Sequence, residues 1–170
     1  MDGDGQQSRL SHFDDAGAAR MVDVGGKPVS RREAVAEAFV RCSGALVEAI
    51  RARSLAKGDL ACAARIAGTL AAKRVDELIP LCHPLPLDEA QLDVEVQDQG
   101  VLLRARVCAT ARTGVEMEAL TAATVAALTV VDMGKAVDRG MVIERVRLLR
   151  KTGGTRGEYT APDLSDADGP

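Results

Sequence analysis

Residues 34–42 constrain the fold of this chain more than any other stretch. Ala34, Ala36, Ala38, Val40 and Cys42 alternate with Glu33, Glu37 and Arg41, the period-two pattern of a strand with one buried face. A helix competes for the same residues, because Ser30 and Glu33 stand in capping-box spacing and alanine favours helix. A helix, however, would throw those five apolar positions onto opposite sides, whereas a strand gathers them on one.

A one-faced strand needs partners, and the chain supplies them. Leu92, Val94 and Val96 alternate, Asp98 to Gly100 has turn chemistry, and Val101, Leu103, Ala105 and Val107 alternate again, predicting a β-hairpin. Met141 to Arg150 reads as a last strand. Helices are predicted over Gly44 to Arg53 and Asp59 to Leu78, the latter with Asp59 as cap and Ala63, Ala67 and Ala71 recurring every four residues. Thr113 and Glu116 form a T-x-x-E box opening an apolar-rich helix to about Val137, with Gly140 beyond its end. The order strand, helices, strand, strand, helix, strand is the split βαβ arrangement. It predicts a ferredoxin-like α+β fold, one antiparallel sheet with helices packed on one face.

With 170 residues the chain suits one domain. Aromatic content is 2% and there is no tryptophan, so alanine, leucine, valine and isoleucine must fill a thin core that oligomerisation would help. The acidic, glutamine-bearing start is unlike a signal peptide. The run Ala119 to Val131 is interrupted by three threonines and is shorter than the roughly 18 residues of a membrane span. These features predict a soluble, cytoplasmic protein with an ordered core over about 10–159 and loose tails at 1 to about 20 and 160–170. Four cysteines without C-x-x-C spacing and only two histidines suggest neither zinc site nor disulfide framework. A net charge of -3 argues against nucleic-acid binding. Local cations at Lys57, Lys73 to Arg74, Lys135 and Arg150 to Arg156 would suit a small anion.

Three constellations could carry chemistry. Glu116, Glu118, Asp132 and Lys135 share the last helix. Glu118 and Asp132 lie within about 40° of one face yet about 21 Å apart along the axis, so they meet only if a second copy crosses antiparallel. By spacing alone Glu116 completes the capping box, and Asp132 with Lys135 is an ordinary i, i+3 pair. Second, IPLCHPLPL at 79–87 holds Leu81, Cys82 and His83 in a proline-stiffened connector, a good mount for a proton-transferring histidine or for a merely structural one. Third, KGD at 57–59 and KTGGTRG at 151–157 combine glycines with cations, as a phosphate cradle or a flexible basic segment does.

Taken together, MVDVGGK at 21–27, KGD at 57–59, ARIAGTLAAKR at 64–74, LIPLCHPL at 78–85, TGVEMEALTAATVAAL at 113–128 and DMGKAV at 132–137 resemble the MoaC family of cyclic pyranopterin monophosphate synthases, over roughly residues 10–159. That resemblance implies a lyase of molybdenum cofactor biosynthesis. Such an enzyme converts 3′,8-cyclo-7,8-dihydroguanosine 5′-triphosphate, made by a radical S-adenosylmethionine enzyme, to cyclic pyranopterin monophosphate and diphosphate. It implies catalytic roles for Asp132, Lys135 and Lys57, and substrate binding by Leu81, Cys82, His83, Glu116, Met117, Glu118, Lys73 and Lys151. Asp23 and Arg65 match further pocket or phosphate contacts. Relatives differ from this chain at Gly134. The resemblance implies no metal ligands and no required cofactor, with magnesium compatible with the phosphates but unsupported by any motif. It also implies a homohexamer, a trimer of dimers with active sites between chains. Two other classes fit the residues alone: a ligand-sensing module that binds an anion without turnover, and a metal-dependent phosphohydrolase using Glu116, Glu118 and Asp132.

Overall fold

The computed structural model describes residues 19–154 and 157–162. The alternating stretch becomes β1 (Ser30–Arg41), the middle of the sheet. It pairs antiparallel with β3 (Gly100–Ala111) on one side and β4 (Val142–Thr152) on the other. β2 (Glu89–Gln97) pairs antiparallel with β3 across a turn at Asp98 and Gln99. A short β5 (Tyr159–Thr160) pairs with β4, giving the order β2-β3-β1-β4-β5. The first four strands therefore follow the split βαβ order, and the ferredoxin-like α+β expectation holds.

The even-numbered residues of β1 face the helices, and Ala34, Ala36, Ala38 and Val40 are fully buried there. Across them lies α4 (Glu116–Gly134), which presents Ala119, Ala122, Ala123, Ala126 and Val130 to the sheet and to α2 (Leu60–Ala72). α1 (Gly44–Arg51) adds Leu46, Val47 and Ile50 to the same core. Small side chains let α2 and α4 approach almost backbone to backbone: a Cβ on Gly68 would stand 2.8 Å from the carbonyl oxygen of Ala122 and 2.9 Å from Cδ1 of Leu92. α4 has the length and apolar composition of a bilayer span. Half of it is nevertheless buried inside the domain, with Glu118 among the covered residues, so it is the core helix of this fold.

The opposite sheet face is held by charge. Glu37, 4% exposed, accepts hydrogen bonds from Arg147 Nε at 2.9 Å and Arg145 Nε at 3.1 Å. The Arg145 guanidinium also lies 4.9 Å from the centre of the Phe39 ring. Burial pushes the Glu37 carboxyl up, but the two arginine bonds outweigh it and leave the group below its usual range.

Four expectations need correction. The helix expected to reach Leu78 ends at Ala72. There the amides of Lys73 and Arg74 turn back to the carbonyls of Leu70 and Ala71, an i→i−3 closure that tightens the last turn, and a separate short α3 (Val75–Leu78) follows. No glycine or proline stands at this break, which is why spacing alone missed it. The T-x-x-E capping box does not form. Val115 is the cap, two residues later than Thr113, so Glu116 starts the helix instead of standing at its third position. α4 ends at Gly134 rather than near Val137, with Lys135 as its C-cap. Finally, residues 160–162 are not loose: Thr160 pairs with Arg150, and the Pro162 carbonyl accepts from Arg147 Nη1 at 3.1 Å. The expectations for residues 1–18 and 163–170 lie outside the described residues.

Candidate active site

One cavity of about 360 Å³ opens beside the first turn of α4. The connector between α3 and β2 contributes Leu81, Cys82 and His83. Pro80, Pro84 and Pro86 limit its backbone freedom, so these side chains are held with little freedom to lose on binding. Facing them are Glu116, Met117 and Glu118, and β4 adds Lys151. Lys151 Nζ donates to Glu116 Oε1 at 3.0 Å. That bond explains Glu116 better than the capping box does: the carboxylate turns into the cavity and orients a lysine.

Glu118 is 4% exposed. Burial is the main reason its carboxyl is pushed up to about 7. The nearby Glu116 and Asp76 charges add to the rise, and a backbone N–H at the start of the helix opposes it. A carboxyl poised near neutrality can give or take a proton, as general acid–base chemistry requires. Burial, with Glu118 and Asp76 contributing, also raises the Cys82 thiol, which keeps it protonated and weakly nucleophilic.

Asp132, Lys57 and Lys135 gather elsewhere, at the far end of α4. Lys57 Nζ donates to Asp132 Oδ2 and to the Asp132 carbonyl, both at 2.8 Å, and Lys135 Nζ donates to Asp132 Oδ1 at 2.6 Å. The KGD turn makes this reach feasible: Gly58 takes the left-handed φ of +91° and its amide closes on the Leu55 carbonyl at 3.0 Å. The Lys135 bond, then the Lys57 bond, hold the Asp132 carboxyl down at about 2. At neutral pH this aspartate is a fixed anion that orients two lysines. It becomes an effective base only if a ligand draws those lysines away.

The structure brings the expected site residues together in two separate groups. Seven of the eight expected binding residues line one cavity, and the three expected catalytic residues form one cluster about 21 Å away along α4. Lys73 joins neither; it is exposed at the C-terminus of α2. Arg65 lines a smaller cavity with Arg53 and Asp59, and Asp23 accepts from the Gly25 amide at 2.7 Å. Among the described residues no three histidine, cysteine or acidic side chains converge as a metal site. The structure adds Lys27, Arg32 and Arg112 to the cavity lining. Arg32 had a sequence signal: it shares the even phase of Ala34, Ala36 and Ala38, so it is a cation on the core side of the central strand.

Fold and cavity together define a small α+β protein whose binding site pairs an acid and imidazole end with a cationic end. Comparison with known proteins narrows this. The sequence model of the MoaC family matches residues 21–154. A cyclic pyranopterin monophosphate synthase of Streptomyces coelicolor is 56% identical over 160 residues, covering 93% of this chain and 94% of the relative. The protein of the same name from Herpetosiphon aurantiacus is 55% identical over 90% of this chain and 94% of its own length. That from Novosphingobium aromaticivorans is 51% identical over 91% and 98%. The chain belongs to the MoaC family.

Proposed function

We propose that this protein is a cyclic pyranopterin monophosphate synthase, a lyase that converts 3′,8-cyclo-7,8-dihydroguanosine 5′-triphosphate to cyclic pyranopterin monophosphate and diphosphate in molybdenum cofactor biosynthesis. The observation that carries this reading is the meeting of LIPLCHPL and TGVEMEAL, the two most distinctive motifs, around one cavity that also holds Lys151. The chemistry asks for such a site. Opening the imidazole ring and closing a pterin moves several protons between nitrogen and carbon, a task for Glu118, His83 and the lysines. Expelling diphosphate needs fixed positive charge where negative charge develops.

The site is completed by a second copy. Within one straight helix the Asp132 cluster stays about 21 Å from Glu118, so an antiparallel neighbour must bring its Asp132, Lys57 and Lys135 to the cavity. A trimer of dimers meets that requirement and also thickens the alanine-built core. The reaction needs no redox cofactor; the substrate comes from a radical S-adenosylmethionine enzyme acting earlier, and the setting is the cytoplasm. Incubating the purified protein with the cyclised nucleotide should yield pterin and diphosphate in equal amounts. Absence of both products would overturn this reading.

A further inference from the structure

The two lysines that grip Asp132 come from different parts of the chain. Lys135 stands three residues further on, as the C-cap of α4, so the helix itself delivers it. Lys57 comes from the loop after α1 and reaches across 75 residues of sequence. That loop is folded back on its helix. The Ser54 amide bonds the Ala49 carbonyl and the Gly58 amide the Leu55 carbonyl, both at 3.0 Å, and Leu55 is buried. At the same end of α1, Arg51 Nη2 donates to Asp98 Oδ1 at 2.7 Å. Lys57 therefore moves with α1 as one piece, and its place over Asp132 is set by whatever fixes α1 to the end of α4.

Asp138 supplies that joint. Its Oδ2 accepts from the amide of Ser43, the N-cap of α1, at 2.7 Å, and its Oδ1 accepts from the Gly140 amide at 2.8 Å. Apart from the bonds that Lys57 makes to Asp132, no other hydrogen bond among the described residues joins 132–141 to 43–59. The Ser43 amide, then the Gly140 amide, hold the Asp138 carboxyl below its usual range, so it is an anion at neutral pH whose acceptors are used on main-chain N–H groups. An anion also suits the positive N-terminal end of α1. Apolar contact backs the joint: a Cβ on Gly134, the last residue of α4, would stand 2.7 Å from Leu46 Cδ2 and 3.1 Å from Met141 Sδ. Such packing resists separation but tolerates sliding, whereas a hydrogen bond also fixes direction. We propose that Asp138 is a positioning residue of the reaction: by bracing the start of α1 against the turn beyond α4, it holds Lys57 in register with Asp132 and Lys135. It touches none of the reacting groups. This rests on the role given to those three residues in the proposed function. A shift of about 1 Å is enough to matter, because groups that exchange protons must stay within hydrogen-bond reach.

The test uses two variants of the full chain. Asp138→Ala removes both bonds, and Asp138→Asn, with one accepting oxygen in place of two, keeps one. Each is measured by steady-state turnover of the cyclised nucleotide and by acetylation of lysine amines mapped by mass spectrometry, with the exposed Lys73 as the internal standard. In Asp138→Ala, kcat should fall by about tenfold or more while KM stays within about twofold, because the cavity at the other end of α4 is untouched. Lys57, freed from its two acceptors, should be acetylated several times faster relative to Lys73. Asp138→Asn should lie between this variant and the unaltered protein in both measurements, and it carries the test alone where Asp138→Ala fails to fold. A residue needed only for folding would lower Tm without singling out Lys57. Unchanged kcat, or unchanged labelling of Lys57, in a folded variant overturns the positioning role while the proposed reaction stands. If the unaltered protein makes no pterin, the proposed reaction fails and the positioning role falls with it.

Discussion

Replacing Glu118 with glutamine should make the protein more stable, increasingly so as pH rises. The carboxyl has a reference value of 4.5 and is raised to about 7 in the fold. Below pH 4.5 both folded and unfolded states hold the proton, so burial of the acid exacts no titration penalty. As pH rises from 4.5 towards 7 the unfolded chain releases the proton while the folded chain keeps it, and stability falls; above 7 the penalty levels off. Between pH 5 and pH 8 this linkage amounts to about 2.5 kcal/mol at 1.36 kcal/mol per pKa unit, and water in the open cavity reduces it to about 2 kcal/mol. Glutamine keeps the shape and does not titrate, so the other groups cancel in the difference between the two proteins. For a chain of this size the gap corresponds to a midpoint rise of about 4–8 °C at pH 8 relative to pH 5. Calorimetric melts of both proteins across that range measure it directly. Parallel stability curves would refute the claim that Glu118 is held neutral by burial.

Other outcomes follow from the same geometry. Asp132→Asn should melt close to the unaltered protein, because its ion pairs are exposed, while turnover falls by roughly a hundredfold or more; near-normal turnover would remove Asp132 from the chemistry. Inactive Glu118→Gln and Asp132→Asn proteins, once subunits have exchanged, should regain part of the activity in mixed assemblies. Mixed assemblies demonstrated by mass spectrometry but devoid of turnover would contradict a site shared between copies. Gly68→Val should destabilise by about 1–3 kcal/mol in urea unfolding, since a side chain there meets the Ala122 carbonyl and Leu92.

Much of the fold was legible because sheet formation leaves a period-two trace. β1 and the hairpin declared themselves by alternation, and the start of α2 by Asp59, whose side chain accepts from the amide of Cys62. Elements defined by single backbone events left no such trace. The stop at Ala72 is marked by no glycine or proline, and the two residues of β5 are too few to show a period. The start of α4 was misread because T-x-x-E spacing describes a cap only where the backbone places it, and here Lys151 claims the glutamate. For the site, motif resemblance grouped residues that chemistry associates and helix spacing already put Asp132 and Glu118 at opposite ends of one rod, but neither could show the cavity that gathers Glu118 with His83 and Lys151. Arg32 was readable from phase alone, yet a phase argument counts apolar residues and passes over the charged one that shares their side.

The pairing of Tyr159 with Lys151 on the last sheet edge gives the protein a built-in optical reporter. The chain has one tyrosine and no tryptophan, so its near-ultraviolet emission and circular dichroism arise almost entirely from this ring and two phenylalanines. Phe39 is sealed against Arg145, whereas Tyr159 is partly open and opposite the lysine that feeds the cavity. Its fluorescence anisotropy therefore watches the edge strand next to Gly153 and Gly154 of the cavity lining without any label. Filling the cationic end of the cavity with diphosphate should register there as a change in ring mobility while far-ultraviolet signals stay constant.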